Sequence, residues 1–392
     1  MRILYLCGDQ GIPAFGRKGA STHMREMIGA FRGLGHEVCL ACADIAGDRR
    51  PEEDFPLVKL PRPASRLLGT DGRYLLANHL AKSVLKRVVY DFQPDAVYER
   101  SALYFSAGEW LSNRFKLPRV LEVNSILSHE QNQRLHLSSF AWKAELSLLR
   151  NSMATAAISG YMSRQLDALG CDPQRIRAFP MAVDPKRFRL PVDPEHRRHE
   201  LQWPDGDIVL GYVGSMNSYH RPNWFMDLAE KVLRRSEKGV RFLIVGGTAL
   251  KVQRHRSRLL RWVEQGLVHF TGSVPQAEMT GWMAAMNVVL VPGAAPQSTP
   301  TKIFEAAAVG RPVILPATEP IKELCGQEAH FLFRPNDFRS FEKKVREFIT
   351  DPDDFTRPAA VLQRKIIAEH TWERHARDIV HWLTELQGER RK

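Results

Sequence analysis

The sequence predicts an α/β fold made of two doubly wound domains, each a parallel sheet covered by helices. Three observations support this prediction. Short apolar runs alternate with amphipathic segments, the alternation restarts past the middle of the chain, and 392 residues exceed what one compact core accommodates. A segment rich in proline and charge, residues 180–207, lies between the two halves and is typical of a linker.

The first half opens with an apolar strand over residues 2–7, followed by a glycine-containing loop over residues 8–21. An amphipathic helix is predicted over residues 23–34, and a second strand over residues 37–43. This order forms a βαβ unit, which implies that the two strands are parallel. Further strands of the first sheet are predicted at 96–99, 119–123 and 155–159.

The same pattern begins again with an apolar strand over residues 208–213, after which Gly214 and Ser215 start a loop. A helix is predicted over residues 223–235 and a strand over residues 241–245. The second half therefore repeats the βαβ order, and its ligand edge is expected at the carboxyl ends of the strands. Further strands are predicted at 268–271, 288–291 and 312–315, and a late helix at 372–386 fits either domain.

Residues 296–315 read as a loop, a short helix and a buried strand. Pro300 suits the first helical position with Thr299 as the capping residue, because proline needs no hydrogen-bond partner there. Gly310 suits the end of the helix, and residues 313–315 form an apolar strand. The sequence therefore places a helix start at the carboxyl edge of the second sheet.

The start of this helix is a predicted anion site. The backbone N–H groups of Thr301, Lys302 and Ile303 would have no partner within the helix, and the helix dipole adds positive potential there. Lys302 contributes a full charge, and Glu305 lies three residues later on the same face. A cation for phosphate and a carboxylate for hydroxyls are therefore adjacent, as a sugar nucleotide requires. The alternatives are a solvated lysine and a carboxylate that only balances its charge.

The net charge of +12 is concentrated in a basic patch over residues 59–90. Residues 74–90 of this patch are helix-like, with apolar and basic residues interleaved. A solvated helix packed on the domain, contact with anionic lipid headgroups and contact with a charged acceptor all fit this pattern. Nucleic acid fits less well, because no aromatic-lined basic stripe accompanies the charge, and no nucleic-acid partner is expected. The patch contains Lys59, Arg62, Arg66, Arg73, Lys82, Lys86 and Arg87, and its one acidic residue is Asp71.

Composition and motifs exclude several classes of protein. No apolar run approaches the roughly 20 residues that span a bilayer, and the first residues predict a strand instead of a signal peptide, so a cytoplasmic protein is expected. Five scattered cysteines argue against a disulfide framework. Cys39 and Cys42 would point to opposite faces of a strand, which favours buried structural cysteines over a redox or zinc site. The glycines of the first loop do not match G-x-G-x-x-G, which argues against a dehydrogenase.

Several motifs, taken in order along the chain, resemble those of the retaining glycosyltransferases of family 4, which have the two-domain GT-B architecture. The resemblance implies two Rossmann-like domains facing a central cleft. It implies an N-terminal acceptor domain of residues 1–188 and a C-terminal nucleotide-sugar donor domain of residues 189–371, with residues 372–392 able to pack back on the first. The motifs are residues 16–23, 35–38, 121–125, 157–159, 180–188, 211–215, 270–275, 287–292 and, most specifically, 298–313.

The chain departs from the family pattern at four places. Glu305 matches the second of two glutamates that flank seven residues, but the first position is Gln297, which can hydrogen-bond and cannot carry charge. The usual Asn-Gly turn after Pro180 is Met181-Ala182, and the usual Arg after Gly214 is Ser215. The usual downstream lysine falls near His220 and Arg221, so Arg221 and Lys302 are expected to bind the diphosphate.

The resemblance implies a hexosyltransferase-type enzyme that moves a sugar from a nucleotide diphosphate to an acceptor hydroxyl with retention. It implies no metal and no cofactor, and the partners are a nucleotide sugar and a sugar, lipid-linked or small-molecule acceptor. The basic patch over residues 59–90 is the one feature that suggests contact with the inner-membrane surface. His129 is the least defined residue, because a core or surface histidine fits equally well. The catalytic candidates are Lys302, Glu305 and His129; the donor-side candidates are Gly214, Ser215, Arg221, Gln297, Ser298, Thr299, Thr301 and Ile303; the acceptor-side candidates are Gly19, Ala20, Ser21, Glu122, Asn124 and Glu130.

Two other functions remain compatible with the sequence. A sugar-nucleotide epimerase or hydrolase on the same fold would release nucleotide without an acceptor. A non-catalytic relative, suggested by Gln297 and by the altered turn at Met181-Ala182, would bind nucleotide without turnover. The sequence does not select the nucleotide, the sugar or the acceptor, which is expected to belong to bacterial polysaccharide, glycolipid or metabolite synthesis.

Overall fold

The computed structural model of the chain forms two compact units, one of Met1–Pro180 with Trp372–Lys392 and the other of Met181–Thr371. Each unit contains a parallel sheet with helices, so the predicted α/β fold with two Rossmann-like domains is confirmed. The structure describes residues 1–16, 19–50, 53–64, 66–188, 193, 195–235, 239–297, 299–326 and 329–391, and not the side chains of residues 66, 329 and 391.

Unit 1 begins with β1, and its helix α1 starts four residues before the predicted position. Because Gly19 to Thr22 carry no apolar period, sequence pattern alone could not place this first turn. The strands are β1 Arg2–Cys7, β2 Pro13–Phe15, β3 Glu37–Cys42, β4 Asp44–Gly47, β5 Leu57–Lys59, β6 Ala96–Arg100, β7 Arg119–Val123, β8 Thr155–Ala157 and β9 Ile176–Ala178. The helices are α1 Gly19–Gly33, α2 Gly69–Phe92, α3 Ala107–Phe115, α4 Leu127–Glu130, α5 Ser138–Arg150 and α6 Gly160–Ala168.

The described strands of unit 1 form a parallel sheet in the order β5-β3-β1-β6-β7-β8-β9, with β2 and β4 paired separately. Side chains of β1 alternate between two buried faces. Ile3 and Tyr5 join the core under α1, whereas Leu4 and Leu6 join the core under α2 and α3. The order of strands reverses between β1 and β6, so this unit has its topological switch point there.

The C-x-x-C pair lies within β3 as predicted. Cys39 belongs to the core under α2 and Cys42 to the opposite core, so the two thiols lie on different faces of the sheet. Burial raises the pKa of Cys39 to about 11 and that of Cys42 to about 12. Both are free, buried thiols that pack as small apolar groups.

Unit 2 starts before the predicted boundary. Residues 181–188, which the sequence assigns to the first domain, lie in unit 2, and the predicted linker contains two short helices. Arg198 explains why this segment is packed: its buried guanidinium donates to the carbonyl of Ala285 at 2.9 Å and to Asn287 Oδ1 at 2.7 Å. The helices before the sheet are α7 Pro185–Phe188 and α8 His196–Glu200.

The remaining elements of unit 2 form a second parallel sheet with covering helices. The strands are β10 Ile208–Val213, β11 Val240–Val245, β12 Val268–Gly272, β13 Val288–Leu290, β14 Val313–Pro316 and β15 Leu332–Phe333. The helices are α9 Pro222–Arg234, α10 Ala249–Arg258, α11 Leu260–Glu264, α12 Met279–Ala284, α13 Thr301–Ala308, α14 Glu319–Cys325, α15 Phe338–Thr350 and α16 Thr356–Glu369.

The second sheet has the order β12-β11-β10-β13-β14-β15 among the described strands, so its order reverses between β10 and β13. Phe225 of α9 anchors that helix on the sheet, with its ring 5.5 Å from that of Tyr212 and 5.6 Å from that of Phe242. A crevice outside the carboxyl ends of β10 and β13 is therefore the expected ligand position in this unit.

The last described helix, α17 Trp372–Arg391, belongs to unit 1. It packs on α1, and the ring of Trp372 lies 4.8 Å from that of His23. Among the described residues, no helix is both long and apolar enough to cross a membrane.

Candidate functional site

Three loops meet at the switch point of the second sheet, and glycines allow their close approach. A Cβ on Gly246, after β11, would lie 2.5 Å from the carbonyl oxygen of Gly214, after β10. A Cβ on Gly293, after β13, would lie 2.5 Å from the carbonyl oxygen of Tyr219. These distances are too short for any side chain, so the loops after β10, β11 and β13 form one packed surface.

Gly214 is the glycine that makes room for Lys302. Its φ of +150° is rarely adopted by other residues, and a Cβ there would lie 3.0 Å from Lys302 Nζ. Its N–H donates to the carbonyl of Val245 at 2.9 Å. Gly214 is one of the donor-side candidates, but β11 already uses its backbone donor, so this amide is not open to a ligand.

The short helix after β13 begins one residue later than the sequence suggests. α13 starts at Thr301, its N-cap is Pro300, and no side chain caps it, so Thr299 is buried without the predicted capping role. The N–H of Ile303 donates to the carbonyl of Pro300 at 3.0 Å. Ile303 is therefore not one of the open amides, whereas helix geometry leaves the N–H groups of Thr301 and Lys302 without an acceptor in an earlier turn.

Lys302 is a buried amine with few partners. It is 7% exposed, and its Nζ donates to the carbonyl of Val213 at 2.9 Å and lies 5.1 Å from the ring centre of Tyr212. Burial lowers the pKa of Lys302 to about 7, although the carboxylate of Glu305 acts in the opposite direction. An ammonium has three donors, and one hydrogen bond of Lys302 is seen within the described residues.

His220 and Arg221 lie in the loop that Gly293 approaches. His220 Nδ1 is 3.4 Å from the carbonyl oxygen of Gly293, and burial together with the charge of Lys302 lowers the pKa of His220 to about 3. Arg221 has a left-handed φ of 48° just before α9 and donates to Asn336 Oδ1 at 2.5 Å. His220 is therefore neutral, and Arg221 already has a protein acceptor.

Sequence reasoning missed one cation at this edge. Lys251 of α10 donates to Asn217 Oδ1 at 2.7 Å and approaches the carbonyl oxygen of Ser215 at 3.3 Å. The signal that could have found it is its position in the first turn of the helix that follows Gly246-Gly247. Ser215 is exposed, Gln297 and Glu305 are half-buried, and Ser298 lies outside the described residues.

The carboxyl edge of the first sheet holds a buried carboxylate, Glu122 of β7. Glu122 accepts hydrogen bonds from Tyr98 Oη at 2.8 Å, Arg100 Nη1 at 2.5 Å and Asn124 Nδ2 at 2.5 Å, and it lies 3.4 Å from His23 Nε2. Burial raises its pKa, but the charges of His23 and Arg100 outweigh burial and hold the pKa of Glu122 well below its usual range.

The other acceptor-side candidates fall into two groups. Gly19, Ala20 and Ser21 form the first turn of α1 and not the predicted loop, and Ser21 is buried. His129 and Glu130 are exposed on α4, where His129 stacks on Trp142 at 4.6 Å and Glu130 accepts from Ser125. Of the candidates, only Asn124 therefore contacts Glu122; the sequence missed its partners His23, Tyr98 and Arg100.

Two family profiles match consecutive parts of the chain. The profile described as Glycosyltransferase Family 4 matches residues 17–187, and the profile described as Glycosyl transferases group 1 matches residues 207–351. The chain belongs to the GT-B glycosyltransferases of family 4. The resemblance to family 4 and to the GT-B architecture is therefore confirmed, and the site at β10 and β13 lies in the part matched by the second profile.

Curated relatives of this glycosyltransferase match part of its length. A D-inositol 3-phosphate glycosyltransferase of Frankia alni is 29% identical over 160 residues, which is 39% of each chain. The putative teichuronic acid biosynthesis glycosyltransferase TuaC of Bacillus subtilis is 22% identical over 275 residues, 69% of this chain and 65% of TuaC. Less than two thirds of either relative is therefore matched.

Solved structures share the fold of the whole glycosyltransferase. Sucrose-phosphate synthase from Thermosynechococcus elongatus has a TM-score of 0.78 at 16% identity, covering 99% of this chain and 100% of that one. Anabaena HepE in complex with UDP and glucose has a TM-score of 0.75 at 18% identity, covering 98% and 100%. At these identities the likeness establishes the fold.

Proposed function

We propose that this glycosyltransferase moves a sugar from a nucleotide-diphosphate donor to an acceptor hydroxyl and retains the anomeric configuration. Its role would be the synthesis of a polysaccharide, a glycolipid or a glycosylated metabolite. The UDP bound to HepE supports a nucleotide donor, and the names of the two curated relatives support acceptors of this kind.

The observation that carries the proposal is the buried amine of Lys302 at the switch point of the second sheet. When the sugar leaves, negative charge develops on a nucleoside diphosphate, and a preorganised cation in a dry site stabilises that charge strongly. Lys302 has donors to spare, and the N–H groups of Thr301 and Lys302 begin a helix whose dipole favours an anion. We propose that this set replaces a metal ion as the partner of the diphosphate.

Glu305 and Gln297 complete the proposed donor site. Glu305 follows Lys302 by one helical turn, where its carboxylate can accept hydrogen bonds from the hydroxyls of the nucleotide ribose. Gln297 stands where relatives have a first glutamate and would hydrogen-bond a sugar hydroxyl without adding charge. The missing charge predicts a weaker electrostatic hold on the donor sugar than in relatives with both glutamates.

The transfer step needs no protein nucleophile in this proposal. The bond between the anomeric carbon and the diphosphate oxygen breaks, and the acceptor oxygen bonds to the same face of that carbon. The departing diphosphate oxygen, held by Lys302, takes the acceptor proton. Unit 1 would hold the acceptor beside Glu122 and α1. We also propose that the enzyme works as a peripheral protein on the cytoplasmic face of the inner membrane.

A nucleotide-sugar panel tests the proposal by thermal shift and by release of nucleotide. We expect one donor to stabilise the wild-type protein, because a ligand at 100 times its Kd adds about 2.7 kcal/mol. Lys302→Met and Glu305→Gln should lose most of that stabilisation, because each variant removes a proposed contact with the donor. Lys322→Met is the matched control, since this lysine is exposed on α14. An equal donor response in wild type and Lys302→Met would remove the site assignment.

The same panel separates the two rival functions. Release of nucleotide that is unaffected by any added acceptor would indicate an epimerase or a hydrolase. A protein that binds a donor but releases no nucleotide with any of the added acceptors would be a non-catalytic relative. Acceptor-dependent release, with the product linkage determined by nuclear magnetic resonance, tests transfer and retention together.

A further inference from the structure

Unit 1 exposes a group of large apolar side chains where its helices begin. Leu67 is 99% exposed and Leu68 42%, both just before α2, while Leu137 and Phe140 at the start of α5 are 51% and 50% exposed. We call these four residues the apolar tip. Monomeric proteins rarely leave such groups clustered in water, and an exposed cluster marks an interaction site.

The two segments of the apolar tip are joined by a buried acidic residue. Asp71, at the start of α2, accepts a hydrogen bond from Tyr104 Oη at 2.6 Å and another from the backbone N–H of His136 at 2.9 Å. The ring of Tyr104 lies 5.8 Å from that of Phe140. The backbone under the exposed leucines is therefore fixed, and the one acidic group of this region is used internally.

The outer face of α2 continues from the apolar tip and carries two exposed cations, Lys86 and Arg87, towards its far end; we call it the basic face. The exposed positions 76, 79, 80, 83, 86, 87 and 90 follow the helical period, so they form one stripe along the helix. Leu76 and Leu80 lie nearer the apolar tip, and Lys86 and Arg87 lie further along. No acidic residue occurs between Asp71 and Asp91. Asp91 is exposed at the far end of the helix, four residues after Arg87, so the middle of the stripe carries no negative charge.

The apolar tip lies at the edge of unit 1 that the acceptor would use. In a parallel sheet, a helix that follows a strand begins near the carboxyl end of that strand. α2 is the long helix between β5 and β6, and α5 is the long helix between β7 and β8, so both helix starts lie at the same edge as Glu122 and the loop after β1. An acceptor carried by a surface in contact with the apolar tip would meet unit 1 at this edge.

We propose that the apolar tip inserts into the headgroup boundary of an anionic lipid bilayer, with the basic face of α2 lying along the membrane surface. The proposal rests on the proposed function, and it restricts the acceptor to one borne by a lipid. The positive charge of the basic face favours an anionic bilayer over other binding partners. A second copy of the chain would bring two basic faces together, which repel each other. In a bilayer, anionic headgroups complement the cations of the basic face, and the leucines of the apolar tip reach the boundary with the acyl chains.

Vesicle co-sedimentation with the full chain tests the proposal. We expect binding to vesicles of phosphatidylcholine with phosphatidylglycerol, and about tenfold weaker binding to phosphatidylcholine alone or at high salt. The double variant Leu67→Ser, Leu68→Ser should lose about tenfold in partition, and Lys86→Ser, Arg87→Ser should lose the preference for anionic lipid. Leu250→Ser is the matched control, because this leucine of unit 2 is 77% exposed and should leave binding unchanged.

Three results would overturn the proposal. One is equal sedimentation of wild type and the Leu67, Leu68 double variant. Another is equal binding to charged and uncharged vesicles. The third is a wild-type dimer in solution that the double variant converts to a monomer, which would assign the apolar tip to self-association.

The donor response distinguishes this proposal from the proposed function. The Leu67, Leu68 double variant should keep the full thermal shift with the nucleotide sugar, because Lys302 belongs to the other unit. Loss of vesicle binding with a retained donor shift supports membrane docking on its own. Vesicle binding in a protein that responds to no donor would leave the docking surface intact and reject the proposed function.

Discussion

Glu122 of unit 1 and Lys302 of unit 2 are both buried charged residues at a sheet's carboxyl edge, but their surroundings differ. Glu122 is 3% exposed and has Tyr98, Arg100, Asn124 and His23 around it. Lys302 is 7% exposed and has one carbonyl acceptor among the described residues. A fully partnered charge stabilises the fold, whereas a poorly partnered one favours a ligand of opposite charge.

Replacing the carboxylate should cause the largest loss of stability. Glu122→Gln leaves the Arg100 charge buried without a counter-charge, and we expect the free energy of unfolding of unit 1 to fall by about 3–5 kcal/mol. Denaturant unfolding followed by tryptophan fluorescence would measure this, because the ring of Trp372 lies 4.8 Å from the ring of His23 beside Glu122. Glu130→Gln is the control, since Glu130 is exposed. Equal midpoints for the two variants would contradict a structural role for Glu122.

The pH dependence of that loss follows from the lowered pKa of Glu122. The carboxylate stabilises the fold above its unfolded pKa of about 4.5, and this contribution is lost as the pH falls towards the lower folded value. Acidification below the unfolded pKa should therefore reduce the difference in free energy of unfolding between wild type and Glu122→Gln. A difference that grows on acidification would contradict the assignment.

A smaller effect is expected from Gly214→Ala in unit 2. The new Cβ would lie 3.0 Å from Lys302 Nζ at a φ of +150°, so we expect a loss of roughly 1–3 kcal/mol in stability together with weaker donor binding. Gly206→Ala is the matched control, because no atom lies within 4 Å of its Cβ position. A variant that keeps both stability and donor affinity would show that Lys302 does not need the space beside Gly214.

The smallest expected effect is the uptake of a proton with the donor. Free Lys302 has a pKa of about 7, and a bound diphosphate should raise it. Above pH 7 binding must then protonate the amine, so affinity should weaken by up to about tenfold per pH unit, whereas below pH 7 the amine is already charged. Titration calorimetry of a nucleotide sugar in buffers of different ionisation enthalpy measures this uptake. Equal uptake by Lys302→Met would assign the proton to another group.

The contrast between the two edges also explains what the sequence could predict. The helix start at Lys302 was visible because its signals are local: a proline, a charged residue and a glycine within a dozen positions. The network around Glu122 was not visible, because Tyr98, Arg100 and His23 come from separate elements and meet only through the sheet order. The order of these residues along the chain could not indicate that they meet at Glu122.

The same reasoning applies to the boundaries that were wrong. The composition of residues 180–207, rich in proline and charge, predicted a linker. Arg198 instead donates hydrogen bonds to acceptors on residues nearly 90 positions away. The first turn of α1 was missed because Gly19, Ala20 and Ser21 carry no apolar repeat. At Arg198 a long-range contact decides the structure, and local sequence pattern does not contain that contact.

The return of α17 to unit 1 has a consequence for how the chain is made. Ala376, Ile379 and Leu383 of α17 complete the apolar core that covers one side of the first sheet. At ribosomal speeds of about 5–20 residues per second, the segment Met181–Thr371 takes roughly ten to forty seconds to emerge. Throughout that interval the apolar groups that α17 covers remain exposed beside α1, and we expect chaperones to bind there.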